Sequence, residues 1–393
     1  MLKLPKFNEL DFVLILLFAL LLALGVVMIA SVTLDQAAIL KGNPFYHLKR
    51  HLIYLIVGGV AFFMALLIPI NWWNKHCPTL IVVSLVMLIL AITPGIRSEG
   101  GSAYRWIHLG FFNVQPSEFA KVFSMVFLAG YLVRRAQEIR ESYIGFFKPF
   151  IVLLPVSALI IIEPDFGATF VLMMSALILM FLGGVDLIRF SLLGLFGFVM
   201  VCILIIMEPY RLLRFTSHLN PWEDPFGAGY QLTQSLIAFG RGEIWGLGLG
   251  NSVQKQFYLP EAHTDFIFAI LAEELGLVGA LLCMFLLLVF CIRIFFIGVN
   301  ALEKGYLFGA YFAYGLAALF SCQILISIGV NVGVLPTKGL TLPFISYGGS
   351  SLVTCCLCVG ILLRIEWETR YARQLLNSNH NLKYQNEVEH QYE

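Results

Sequence analysis

Apolar runs, each about long enough to cross a membrane, alternate along this chain with short polar connections. A spanning helix needs about 20 mostly apolar residues. About ten stretches meet or approach that length, near 12–32, 52–70, 79–93, 117–133, 149–163, 166–184, 189–207, 266–292, 305–328 and 349–364. They predict an all-α polytopic membrane protein with about ten transmembrane helices. Gly309, Gly315, Ala317, Ala318 and Gly360 fall in or beside the last two stretches, where small residues permit close helix packing. Trp72, Trp73, Trp106 and Trp367 lie at the predicted interfaces, as an aromatic belt does. One connection, 208–265 between the seventh and eighth stretches, is far longer than the rest. A segment of that length carries its own substructure or function. Within it Leu232, Leu236, Ile237 and Phe239 mark one face of a short helix expected to lie on the membrane.

Composition narrows the class. Apolar residues make up 59% and charged residues 12%, with a mean hydropathy of +0.86. Soluble chains carry about 25% charged residues. A net charge of +1 offers nucleic acid no electrostatic footprint. The basic cluster Arg134, Arg135, Arg140 and Lys148 marks an inner connection. It sets residues 1–11 inside, the 208–265 loop outside and, after an even number of crossings, the polar tail 365–393 inside. That tail is expected to be mobile. No cleavage site follows the first apolar stretch, which is expected to stay as an anchor. The whole of 1–393 reads as one membrane domain. No internal repeat is evident, which disfavours a pseudo-symmetric transporter. None of the eight cysteines has metal-site spacing, and Cys355, Cys356 and Cys358 read as small packing residues.

Against this background the polar groups at the outer face stand out, because ionisable residues near hydrocarbon are costly and mark function. Asp265 ends a polar run, Tyr258-Leu-Pro-Glu-Ala-His-Thr-Asp265, that leads straight into an apolar helix. Two readings compete: a cap on a helix starting at Phe266, or a reactive carboxylate at the membrane surface. Asn caps as well as Asp, so Asp265→Asn separates them. Glu261 and His263 lie beside it, without the spacing of a zinc site. Lys338, among prolines, glycines and hydroxyls in Pro336–Ser346, suits an anionic head group or snorkels to the interface. A further outer loop offers Arg97, Arg105, Trp106 and His108. Glu118 and Lys121 are spaced to pair on one helix face, and Asp165 is placed to cap the helix after it. Gly246, Gly248 and Gly250 lack the context of a nucleotide loop; such a backbone suits close approach to another segment.

Taken together, these segments resemble the SEDS family of bacterial wall-building membrane proteins. The matching motifs are Met28-Ile-Ala-Ser31, Gln115-Pro-Ser-Glu118, Glu163-Pro-Asp-Phe-Gly167, the large loop, and Pro336-Thr-Lys-Gly-Leu-Thr-Leu-Pro-Phe-Ile-Ser-Tyr-Gly-Gly349. Asn220-Pro-Trp-Glu-Asp224 and Phe239-Gly-Arg-Gly-Glu243 look like the division branch of that family. The resemblance implies a bacterial inner-membrane peptidoglycan glycosyltransferase that polymerises lipid II at the septum. It also implies a class B penicillin-binding protein and other divisome proteins as partners. The family's essential aspartate maps onto Asp265 and its loop lysine onto Lys338. Asp265 is then the expected base. Lys338, Arg241, Arg105 and Arg214 are the expected cations for the diphosphate, and Glu261, His263 and Ser346 are expected beside the substrate. A divalent cation, Mg or Mn, is compatible with the same task, and no cluster in the sequence assigns its ligands. The alternatives are a lipid II flippase of the division machinery and a non-catalytic scaffold.

Overall fold

The computed structural model describes residues 9–93, 105–109, 112–207 and 209–389, with most side chains through Tyr371. Arg97 lies outside the described residues. The first helix, α1 (Phe12–Lys41), starts where the Asp11 carboxylate accepts the Val13 and Leu14 amides at 3.1 and 3.3 Å, and stops at left-handed Gly42. It is followed by α2 (Tyr46–Leu67) and α3 (Ile70–Ile92), then a short antiparallel hairpin, β1 (Ile107–Leu109) and β2 (Phe112–Val114). Next come α4 (Pro116–Arg134), α5 (Ala136–Glu141), α6 (Tyr143–Ile162), α7 (Phe166–Leu182) and α8 (Leu187–Ile206). The large loop contributes α9 (Pro209–Leu219) and α10 (Tyr230–Gly242). The chain closes with α11 (Ile267–Glu303), α12 (Leu307–Asn331) and α13 (Gly349–Glu389). The tail expected to be mobile thus continues as helix.

Each apolar stretch read from the sequence is a helix. Among the described residues eight are long and apolar enough to cross a membrane, while α7 and the apolar part of α8 are shorter. Helices α1, α2 and α3 run well past the predicted bounds, because apolarity marks only the hydrocarbon layer and backbone hydrogen bonding continues into the interface. Helices α4, α12 and α13 form the interior: 78%, 72% and 89% of their apolar stretches are buried, against 22% for α2, which leaves α2 a broad lipid-facing side. Small residues set the interior spacing. A side chain at Gly360 would strike the Phe62 carbonyl of α2, which lies 2.4 Å from where its Cβ would be. The cysteines of α13 are buried thiols in the same packing layer.

Helix α11 is broken. Gly276 has φ 69° and ψ −169°, a conformation closed to other residues, and it separates a short outer segment from the long span. The glycine run of the large loop docks on this break. Leu247 and Gly248 donate to the Glu273 and Glu274 carbonyls at 3.0 and 2.9 Å, and Leu277 donates back to the Glu243 carbonyl at 2.9 Å. A Cβ on Gly246 would sit 2.2 Å from the Glu274 carbonyl oxygen, so the run serves backbone approach. Helix α10 packs on the outer segment of α11, with Phe239 against Phe268 at 5.9 Å between ring centres. Its buried face holds Leu232, Thr233, Ser235 and Ala238, while Leu236, Ile237 and Phe239 are half-buried.

Candidate active site

Asp265 is presented by a tight turn. Glu261, at φ 54°, offers one carbonyl to the amides of Thr264, Asp265 and Phe266 at 3.1, 3.1 and 3.2 Å. The Thr264 hydroxyl donates to the Glu261 carboxylate at 2.7 Å. The helix that follows starts at Ile267 with Phe266 at the cap position, and no side chain caps it. The capping role open to Asp265 is therefore not the one its carboxylate performs. That carboxylate instead faces Gly339: a Cβ there would lie 3.2 Å from Asp265 Oδ2 and 4.0 Å from Arg105 Nη1. The absence of a side chain at 339 brings the Pro336–Ser346 loop against the acid.

Burial is the main cause that pushes the Asp265 carboxyl up to about 7. Glu261 and, less strongly, Asp165 push the same way, while Arg105 and Arg214 oppose them. Arg105 is held by the carbonyls of Glu163, at 3.1 Å, and Pro164, in the turn between α6 and α7. In that turn Asp165 caps α7 through the Ala168 amide at 3.1 Å, as expected, and accepts from Gln115 and Ser117. The Glu163 carboxyl is buried, and among the described residues neither oxygen has a hydrogen-bond partner. Burial, reinforced by Asp165 and opposed by Arg105, pushes it up to about 8, so it is neutral at pH 7.

Arg214, from α9, reaches the Thr337 carbonyl at 3.5 Å. The Lys338 ammonium lies 4.2 Å from the centre of the Phe166 ring, a cation–π distance. There it borders a cavity of about 410 Å³ with apolar walls from Phe166, Phe170, Phe198, Phe215, Ile326 and Leu335. A cation at the edge of an apolar cavity suits an amphiphile with an anionic head.

The remaining expected residues take other places. Ser346 is spent on the backbone: its hydroxyl donates to the Thr264 carbonyl at 2.6 Å and accepts the Leu342 amide at 2.7 Å. His263 joins a ring cluster with His47 and Tyr347, each at 5.6 Å, and its carbonyl accepts the Tyr347 amide at 2.8 Å. Burial pulls the His263 imidazole below its ordinary value, with Glu261 opposing, which favours the neutral ring. Both residues tie the 336–348 loop to the Asp265 turn. Arg241 is bound to Glu273 at 3.1 Å and is not among the charges that act on Asp265. Glu118 and Lys121 pair at 2.8 Å as expected, and Lys121 also donates to Gln323 on α12 at 3.0 Å. Among the described residues no three His, Cys, Asp or Glu side chains gather closely enough to hold a metal ion.

Two sets of residues that the sequence left unmarked are prominent. Asn331 links the Asp265 turn to α12. Glu273, Glu274 and Lys255, all buried, fasten the large loop to α1 and α11. A pair of adjacent acids inside an apolar run was the available signal for the second set.

Comparison with known proteins fits this geometry. The profile of a family described as cell cycle protein (FtsW, RodA, SpoVE) matches residues 11–371. A probable peptidoglycan glycosyltransferase FtsW from Pseudomonas fluorescens is 55% identical over 362 residues, covering 92% of this chain and 89% of the relative. Its counterpart in Hahella chejuensis is 50% identical, covering 92% and 91%. A chain from a peptidoglycan synthase complex that coordinates polymerization and crosslinking superposes with a TM-score of 0.75 at 27% identity, covering 92% of this chain and 98% of that one. The rod shape determining protein RodA of Thermus thermophilus gives a TM-score of 0.67 at 26% identity, covering 92% and 98%.

Proposed function

From the premise that this chain belongs to the FtsW/RodA/SpoVE family of cell cycle proteins, we propose that it is a peptidoglycan glycosyltransferase whose general base is Asp265. It polymerises lipid II at the outer face of the bacterial inner membrane, at the division septum, with both termini in the cytoplasm. The 4-hydroxyl of one disaccharide loses its proton to the Asp265 carboxylate. The oxygen attacks the anomeric carbon of the other chain from the face opposite the diphosphate. The new glycosidic bond forms as undecaprenyl diphosphate leaves, with inversion. A diphosphate is a stable anion and needs no acid, so one carboxylate suffices where a glycosidase uses two.

The observation that carries this reading is the environment of Asp265. Its carboxyl is not spent on helix capping, and burial with Glu261 brings its pKa to about 7. A base with a pKa near the working pH combines adequate ionisation with adequate proton affinity. Arg105 and Arg214 flank it and, with Lys338, supply positive charge for the departing diphosphate. Glu163 is neutral, so its side chain does not cancel the Arg105 charge. The apolar cavity bordered by Lys338 offers a place for the first isoprenes. Arg241 is left out, being held by Glu273. No metal ligands are assigned. A class B penicillin-binding protein is the partner that would crosslink the product.

The test is lipid II polymerisation by the purified protein with its transpeptidase partner. Asp265→Asn is expected to leave folding and partner binding intact and to abolish polymer. Full polymerisation by that variant rejects Asp265 as the base.

A further inference from the structure

Asn331 is wholly buried at the last turn of α12, and every hydrogen-bonding atom of its amide is used. Oδ1 accepts the Ala269 amide at 3.1 Å, an amide that also makes a short-turn bond to the Phe266 carbonyl at 3.1 Å in place of the longer one to Asp265. Nδ2 donates to the Asp265 carbonyl and to the Ser327 carbonyl, both at 2.8 Å. Its main-chain carbonyl accepts the Ser235 hydroxyl of α10 at 2.7 Å. The first two partners are four residues apart. In a regular helix the Ala269 amide would donate directly to the Asp265 carbonyl. The Asn331 amide stands between them, accepting from one and donating to the other.

We infer that Asn331 is the positioning residue for the general base, a wedge that holds the first helical bond of α11 open and keeps Asp265 outside the helix. This rests on the reading of Asp265 as base. If the wedge were removed, the Ala269 amide and the Asp265 carbonyl could close on each other. The turn would wind on by one residue, and the Asp265 side chain would approach the exposed amides of the helix start. A carboxylate that accepts such amides is favoured in its charged form. It becomes a weaker base and moves off the line to the substrate hydroxyl. The same amide also fixes α12, and hence the loop that carries Gly339 and Lys338, relative to Asp265. Of the charged groups that act on Asp265, Glu261 lies in its own turn and Arg105, Asp165 and Arg214 lie on other segments, while the side-chain amide of Asn331 bonds to Ala269, Asp265 and Ser327.

The experiment measures lipid II polymerisation by the purified protein with its partner transpeptidase as a function of pH. Wild type, Asn331→Ala, Asn331→Asp and Asp265→Asn are compared side by side. Displacement of a reacting group by about 1 Å costs on the order of 100-fold in rate. Asn331→Ala is expected to lose about that much kcat with KM unchanged, and the acid limb of its pH profile is expected to move below the wild-type one. Asn331→Asp keeps the acceptor but loses both donors, and is expected to fail in the same way. A variant that only folds less well lowers the amount of active enzyme and leaves the kcat of each folded molecule and the pH profile where they were, and that result overturns the proposal. If Asn331→Ala does not fold, Asn331→Ser, with one donor left, carries the same two readouts. Polymerisation by Asp265→Asn would sink the base assignment itself. A dead Asp265→Asn beside a wild-type Asn331→Ala would sink the wedge alone.

Discussion

Two polar clusters sit beside the large loop, and they are built on opposite plans. Around Glu273 and Glu274 the charges are matched. Glu274 accepts from Lys255 at 3.1 Å and from the Ser31 hydroxyl at 2.7 Å. Lys255 also donates to the carbonyls of Ser31 and Gly250 at 3.0 and 2.8 Å. Glu273 takes the amides of Val253 and Gln254, both at 3.2 Å, the Ser252 hydroxyl and Arg241. Around Asp265 the plan is uneven: Asp165 and Glu261 are partnered, but the Asp265 carboxyl does not cap its helix, the Glu163 carboxyl accepts no hydrogen bond among the described residues, and Arg105 is anchored by carbonyls. A satisfied network holds two chain segments in register. An incompletely satisfied one keeps pKa values displaced, a mark of functional sites. Burial alone does not separate the two, since Glu163, Glu273 and Glu274 are all inaccessible. Partner inventory does.

The sharpest break in the comparison is Asp265→Asn. General base catalysis contributes about 10²- to 10⁴-fold, and a loss in that range is expected in lipid II polymerisation with no loss of folded protein. In the matched cluster the effect should reverse. Lys255→Met leaves Glu274 buried without its cation, and breaking such a pair costs about 3–5 kcal/mol. Thermal or denaturant unfolding in detergent should show that loss, while the activity of each folded molecule changes little. A large rate defect with unchanged stability would erase the distinction between the clusters.

Weaker effects refine it. Arg105→Lys keeps the charge but loses the fork gripping two carbonyls, so KM for lipid II should rise about tenfold with a smaller change in kcat. The pH dependence of the wild-type rate should fall off below about pH 7, where Asp265 gains its proton. A flat profile from pH 5 to 8 would contradict that environment. Stability follows with the opposite sense from an ordinary acid. The folded pKa of Asp265 is raised from 3.8 to about 7, so ionisation disfavours the fold, and the penalty grows as pH rises from the first value to the second. Asp265→Asn is therefore expected to raise Tm at pH 8, and by less at pH 5.

How much of this was legible depends on whether a signal is local. The ten helical stretches were readable because burying backbone in hydrocarbon forces unbroken apolar runs. Asp165 as a cap, and Glu118 with Lys121, were readable because their partners lie within one turn. Asp265 could be singled out as a candidate because a carboxylate at the start of an apolar run has few reasons to be there. The break at Gly276 was missed, since a glycine inside an apolar run looks like packing until another backbone is seen to lie against it. Arg241 was expected at the substrate and is found on Glu273, thirty-two positions away. Ser346 and His263 were grouped with the substrate; the Ser346 hydroxyl bonds to the Thr264 carbonyl, and the His263 ring packs on His47 and Tyr347. Nothing in the sequence pairs such distant groups.

By itself the sequence determined the solvent this chain folds in, the helices that follow from it, and the gathering of polar residues in a few connections. Those follow from the free energy of moving apolar and polar groups between water and lipid, which each residue carries wherever it stands. Which acids are neutralised and which are left waiting was decided only by the tertiary structure. Hydrogen bonds and ion pairs act over a few ångströms, and only the folded chain brings Asn331 to Asp265, or Lys255 to Glu274.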